Sequence, residues 1–227
     1  ALSGSIAKAL ELETATRMLS DTLGESGAAD ALKLTKNLAN ELGLSFLGTT
    51  EDFAKFTAAA TAAKVPLADQ KALFGEVTKA AVRYGLSNEQ VGGTFIALQQ
   101  MASKGVVSME ELRNQLGERL PVAFAVAADG LGITTTELNK LVESGELSAT
   151  KFFPAFTKGL KEIAKGSNTT KTSAQKLQTF TNKWADLQIA LGKTTMPTII
   201  KLAEGIGHAF DWAAKNLSTL ISVAAGL

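Results

Sequence analysis

Apolar residues recur along this chain at intervals of three and four, in runs punctuated by glycine, proline and small polar residues. That spacing lines up side chains on one face of a helix. Thr50, followed by Glu51 and Asp52, predicts a helix start, and the helix must end before Pro66, whose ring collides with the preceding turn. Residues 68–84 predict a second helix, closed by Gly85 in a left-handed conformation. Ser87 with Gln90 has the spacing of a capping box and opens a third, running to Lys104 before Gly105. Inside it, Gly92-Gly93 costs about 1 kcal/mol per glycine against alanine, which points to a kink or a close helix crossing. Ser108 with Glu111 and Thr134 with Glu137 have the same capping spacing, and short helices are expected at 122–129, 135–143 and 148–165. No segment alternates with period two and no hairpin dipeptide joins two strand-like runs. The expectation is an all-α multi-helix bundle of short capped helices followed by longer C-terminal helices.

The stretch GVVSMEELRNQLGERLP, residues 105–121, concentrates the most information. On a 100° wheel Met109, Leu112, Leu116 and Leu120 form one stripe, with Glu111, Asn114 and Glu118 opposite. Arg113 and Arg119 flank the stripe and can lay their stems along it while their heads stay wet. Gly117 leaves room beside it for another helix. The acids of this stretch have no evident reason for a raised pKa, so the segment reads as a well-capped amphipathic helix.

Two further stripes lie near the C-terminus. Leu177, Phe180, Trp184, Leu187 and Leu191 are spaced 3-4-3-4. After an expected break at Pro197, Ile199, Ala203, Ile206, Phe210, Ala213, Leu217, Leu220 and Ala224 continue the alternation. Spacing that averages 3.5 suits a coiled-coil or bundle seam. Both helices fold back on residues 50–165 or pair between copies. The second seam, with Ile206, Phe210, Leu217 and Leu220, is the better candidate for self-association, because Glu204–His208 and Asp211–Lys215 pairs give its helix a wet outer face.

Composition narrows the chemistry. Of 227 residues 45% are apolar and 20% charged, with net charge +1, which suits a folded soluble chain and not a disordered one. The absence of cysteine removes disulfides, thiolate metal sites and a thiol nucleophile. His208 stands alone, so a Ser-His-Asp triad or a histidine metal site is hard to assemble, and no cofactor is implied. The chain opens Ala1-Leu2-Ser3 with neither Met nor a signal-type core, so it is expected to be a piece of a longer protein. Residues 87–150 carry eight acids and four bases, whereas 151–201 carry nine lysines and two acids. Only four of 23 basic residues are arginine, so any duplex DNA contact is expected to be weak and non-specific.

The 105–121 stretch also carries a likeness. Gln99-Gln100-Met101, Lys104 to Arg113 and Gln115 to Pro121 resemble the signature of the tape measure domain of bacteriophage tail proteins. The likeness continues in AADGLGITTTELNKLVESGEL and in FTNKWADLQIALGKTTMPTIIKLAEGI, covering roughly 48–205. Asn114 and Val122 depart from it, where members often carry a small residue. The resemblance implies a structural virion protein that lies in the tail tube lumen, sets tail length, meets the tail tip and leaves ahead of the DNA. It implies tail tube and tail-tip proteins, assembly chaperones and further copies of itself as partners, and the host cytoplasm as its place during assembly. It carries no catalytic residues. Glu111, Arg113, Gln115, Glu118, Arg119, Leu120 and Pro121 match its motif and are expected to act in the fold or in partner contact. The expected organisation is an N-terminal helical segment at 1–47, the domain core at 48–166 and a C-terminal helical segment at 167–227. Pro66, Pro121 and Pro154 are expected to break residues 45–170 into a compact module, leaving the ruler elsewhere.

Two rival readings compete. Glu143-Ser144 and Glu25-Ser26 resemble the Glu-Ser pair of lytic transglycosylases, but the downstream Gly-aromatic-Gln context is missing. Residues 216–227 carry no charge, yet a membrane span needs about 20 residues. Host-membrane contact would need sequence beyond the C-terminus.

Overall fold

The computed structural model describes residues 2–165 and 172–215, and the described chain is all helical apart from one isolated bridge between Val106 and Ser148. Its helices are α1 (Leu2–Leu42), α2 (Phe46–Ala62), α3 (Leu67–Arg83), α4 (Asn88–Lys104), a π-helix (Glu110–Leu116), α5 (Gly117–Arg119), α6 (Ala123–Leu131), α7 (Thr135–Glu143), α8 (Ala149–Ala164) and α9 (Ser173–Lys215). Within α1, Gly24 takes φ 74° and ψ 169° and kinks the helix. Two compact units emerge. The larger runs from Glu11 to Lys183; the smaller joins the described residues 2–10 to 184–215. In the smaller unit Ala9, Ala185 and Ile189 are buried, and Lys8 Nζ donates to Gln188 Oε1 at 2.5 Å.

Local signals account for most ends. The Ser87–Gln90 and Thr134–Glu137 capping boxes both form. Gly85 and Gly105 take φ 79° and 75°, the left-handed region where a Cβ is costly. The start of α2 differs from expectation. The Ser45 hydroxyl, not Thr50, accepts from the first turn, from the Gly48 amide at 3.3 Å, so the helix begins at Phe46. The prolines also differ. Pro154 lies inside α8 and Pro197 inside α9, and neither helix ends there. Both prolines are exposed, and each lacks the amide that would have bonded the carbonyl a turn earlier. Around Pro154 the buried Phe152, Phe153 and Phe156 hold α8 together.

Phenylalanines form the centre of the larger unit. Phe53 and Phe56 of α2, Phe74 of α3, Phe95 of α4 and Phe152, Phe153 and Phe156 of α8 are all fully buried. Phe74 stacks on Phe95 at 4.2 Å and meets Phe53 edge-on at 4.8 Å, while Phe56 reaches Phe95 at 6.0 Å and Phe153 at 5.9 Å. Each such pair adds about 0.5–1.5 kcal/mol to the area buried. Leu44, at the turn between α1 and α2, is pinned to α9 by Asn182. Its Nδ2 donates to the Leu44 carbonyl at 2.6 Å, and its Oδ1 accepts from the Phe46 amide at 3.2 Å.

Helices α6 and α8 touch backbone to backbone. A Cβ on Gly130 would lie 1.9 Å from the Ala155 carbonyl oxygen, and one on Gly159 would lie 2.2 Å from that of Val126. Neither carbonyl can retreat without moving its helix. Gly159→Ala is therefore expected to destabilise by about 3 kcal/mol or more. Gly75→Ala, in α3 with nothing within 4 Å of its Cβ, is expected to stabilise by about 0.5–1 kcal/mol. Urea titration of both variants checks the contrast, and equal midpoints would refute the close-crossing account.

Candidate functional site

The 105–121 stretch begins where Gly105 closes α4 and the chain is clipped to the start of α8. The Val107 amide donates to the Leu147 carbonyl at 2.8 Å, and the Ala149 amide to that of Gly105 at 3.0 Å. The far end is fixed by Leu120, fully buried, ahead of the exposed Pro121. Between these anchors the backbone is a π-helix through Glu110–Leu116, not the expected α-helix. The leucines explain why. Leu112, Leu116 and Leu120 are spaced 4-4, and in an α-helix each step of four overshoots a full turn by about 40°. The wider π turn takes that drift back, and all three leucines reach zero exposure. Gly117 fits the wide turn, since its Cβ would stand only 3.3 Å from the Leu112 carbonyl oxygen.

Glu111 corrects the wheel most sharply. It was expected on the wet face with its side chain in a capping box; it is 1% exposed, and no side chain caps the π-helix. Its carboxylate instead accepts from the Lys104 ammonium and the Ser108 hydroxyl. Burial pushes this carboxyl up, but the hydrogen bonds from Lys104 and Ser108 outweigh it and hold it below the usual range. Glu111 therefore acts inside the fold, and no partner can reach it.

The other motif residues divide between surface and interior. Arg113 is exposed and lies over the Phe124 ring at 4.5 Å, beside a groove of about 340 Å³ shared with Thr135, Thr136, Asn139, Lys140 and Glu143. Arg119 is half-buried and donates from Nη1 to the Gln115 carbonyl at 2.7 Å. Its guanidinium fills the space over Gly93, where a Cβ would lie 2.4 Å from Nε, and the Asp52 carboxylate occupies the same place over Gly92. The glycine pair thus serves a close approach, with the Asp52 side chain of the packed helix α2 over Gly92 and the Arg119 side chain over Gly93. Gln115 is half-buried, while Glu118 and Pro121 are exposed. Of the motif residues, Arg113, Glu118 and Pro121 are the exposed ones. Sequence reasoning missed Lys104 and Asn182; the 4-4 leucine spacing was the available signal for the π-helix.

The remaining candidates are placed as follows. Glu143 is an exposed helix end, and the Ser144 hydroxyl donates to the Leu141 carbonyl at 3.1 Å. Leu217 and Leu220 of the second seam lie outside the described residues, as do the side chains of Ile206, Phe210 and His208, whose backbone is helical. Among the described residues no helix is long and apolar enough to cross a membrane.

Two predictions follow from these placements. In denaturant titration, Leu120→Ala is expected to cost about 2–5 kcal/mol and Glu111→Ala about 1.5–3 kcal/mol, while Glu118→Ala stays within about 0.5 kcal/mol. Equal losses at Glu111 and Glu118 would show Glu111 to be solvated. Asp52 titrates at about 6, raised from 3.8 by burial first and by Glu51 next, with Lys55 opposing. Its folded pKa lies above its unfolded one, so the native state holds the extra proton and stability falls as pH rises from 4 to 6. Asp52→Asn is therefore expected to add about 1–2 kcal/mol at neutral pH, after discounting for partial exposure, and nothing below the unfolded pKa. A gain independent of pH would refute the burial account.

Comparison with known proteins gives the motif its context. A family model described as "Tape measure protein" matches residues 6–193, which includes the π-helix and the first part of α9. A probable tape measure protein of Salmonella phage Felix O1 (isolate Felix O1-VT1) is 30% identical over 174 residues. The match covers 75% of this chain and 23% of that relative, so the chain spans about a quarter of the relative's length. No solved structure matches. With the family model covering most of its length, this chain belongs to the tape measure protein family and is a structural component of a phage tail.

Proposed function

We propose that this chain is the folded module of a tail-length tape measure protein, acting in tail assembly, tail-tip association and genome delivery. The family match over residues 6–193 carries the reading. The build of the module supports a division of labour. A helical ruler gains about 1.5 Å per residue only while it stays extended. Residues 11–183 instead fold short helices into one compact unit, so length is measured elsewhere in the longer protein and this module makes contacts. Those contacts are with tail tube and tail-tip proteins, and with assembly chaperones in the host cytoplasm. Arg113, Glu118 and Pro121 supply the exposed motif surface, and several copies act together. Duplex DNA contact is weak and non-specific, through the lysines between Lys151 and Lys201.

Capture of the tube and tip proteins of the same phage by the 227-residue chain tests this. The expected result is retention of a tip protein, reduced at least tenfold by Arg113→Glu with Glu118→Lys, while duplex DNA is released by modest salt. Failure to retain any tail protein, or tight salt-resistant DNA retention, would overturn the reading.

A further inference from the structure

The outward side of α8 is a row of lysines. Lys151, Pro154, Lys158, Lys161 and Lys165 are spaced 3-4-3-4, and all five are exposed. The inward side of the same helix is committed, with Phe152, Phe153 and Phe156 in the core and Gly159 against α6. Lys165 is held by the Glu162 carboxylate, its ammonium donating at 2.8 and 2.6 Å. Lys151, Lys158 and Lys161 pair with no acid among the described residues. Asp69 and Glu162 share a groove of about 270 Å³ with Lys158 and Lys161, yet neither acid bonds to them. We propose that this face is where the module touches duplex DNA, its ammonium groups seated on the phosphates of one strand. The proposal rests on the weak DNA contact read above, and it names the face and the number of phosphates.

The row works against the helix that carries it. Lys151 sits in the first turn of α8, at the positive end of the helix dipole, and no acid stands in that turn to offset it. Lys161 lies three residues from Lys158 and four from Lys165, spacings at which like charges repel on one helix face. A face kept only for solubility mixes the two signs, as α3 does with Glu76 and Lys79, paired at 3.2 Å. A polyanion laid along the row removes both the dipole conflict and the mutual repulsion.

The choice of cation separates phosphate from carboxylate. No arginine lies on this face, and arginine is the side chain whose planar fork matches a carboxylate with two parallel bonds. Lysine acts as a point charge, which suits phosphates met at no fixed angle. Reach agrees. From Lys151 to Lys165 the row is about 21 Å long at about 1.5 Å per residue. Phosphates of one duplex strand advance about 3.4 Å each, so about six lie within that length, enough for every free ammonium to find one. The platform is also stiff, since Gly130 and Gly159 bring α6 and α8 backbone to backbone beneath it.

Fluorescence anisotropy of a labelled duplex with the 227-residue chain, titrated from about 20 to 200 mM salt, tests the face. Three phosphate contacts predict a slope of log affinity against log salt of about −3. Lys151→Gln with Lys158→Gln and Lys161→Gln should bring that slope close to zero, while the circular dichroism melting curve stays in place or rises. A triple variant that melts well below the wild-type chain would mean that these lysines serve the fold, and would overturn the proposal. Glu162→Gln frees Lys165, and it should steepen the slope by about 1 and tighten binding at low salt. An unchanged slope there also counts against the row. On α9, Lys176→Gln, Lys183→Gln, Lys193→Gln and Lys201→Gln together should leave the slope as it was. If only this second set flattens it, the face is wrong and the DNA contact survives. A chain that binds no duplex even at about 20 mM salt overturns both. Polyglutamate at equal charge is expected to displace the duplex poorly. Complete displacement would assign the row to an acidic protein surface and overturn the phosphate contact.

Discussion

The larger unit depends on one constraint: seven phenylalanines from four helices must close on each other. Phe74 is the hub, stacked on Phe95 and edge-on to Phe53, and Phe56 carries the cluster across to Phe153 on α8. Everything around it serves that closure. α6 comes down onto α8 through Gly130 and Gly159, and the clip between Val107 and Leu147 ties the signature stretch to the same helix. Asn182 then fastens the start of α9 to the turn that leads into α2.

The signature stretch shows how a fold requirement and a surface requirement share seventeen residues. Three leucines at spacing four have to face inward together, and the backbone widens to let them. The wider turn carries Glu111 inward as well, where Lys104 and Ser108 neutralise the cost of its burial. What remains outside among the motif residues is Arg113, Glu118 and Pro121.

Much of this was legible in the sequence, and the exceptions have physical causes. The capping boxes at Ser87 and Thr134 and the stops at Gly85 and Gly105 rest on local chemistry, so they could be read without a fold. The prolines misled, because Pro154 and Pro197 each cost one hydrogen bond that packing or solvent repays. Glu111 misled because a 100° wheel assumes the turn it is meant to test. The role of Gly130 and Gly159 appears only when α6 meets α8. The first α9 stripe was visible as a pattern, but its exposure depended on which face Asn182, Ala185 and Ile189 would claim.

The order of the phenylalanines along the chain has a consequence for synthesis. Phe53 and Phe56 leave the ribosome about a hundred residues before Phe152, Phe153 and Phe156, and no nearer segment supplies the α8 side of their core. At about 5–20 residues per second, translation leaves those rings without their α8 partners for something on the order of 5–20 s. During that interval α2, α3 and α4 present an aromatic face to solvent, and the growing chain is at its stickiest just before it can fold.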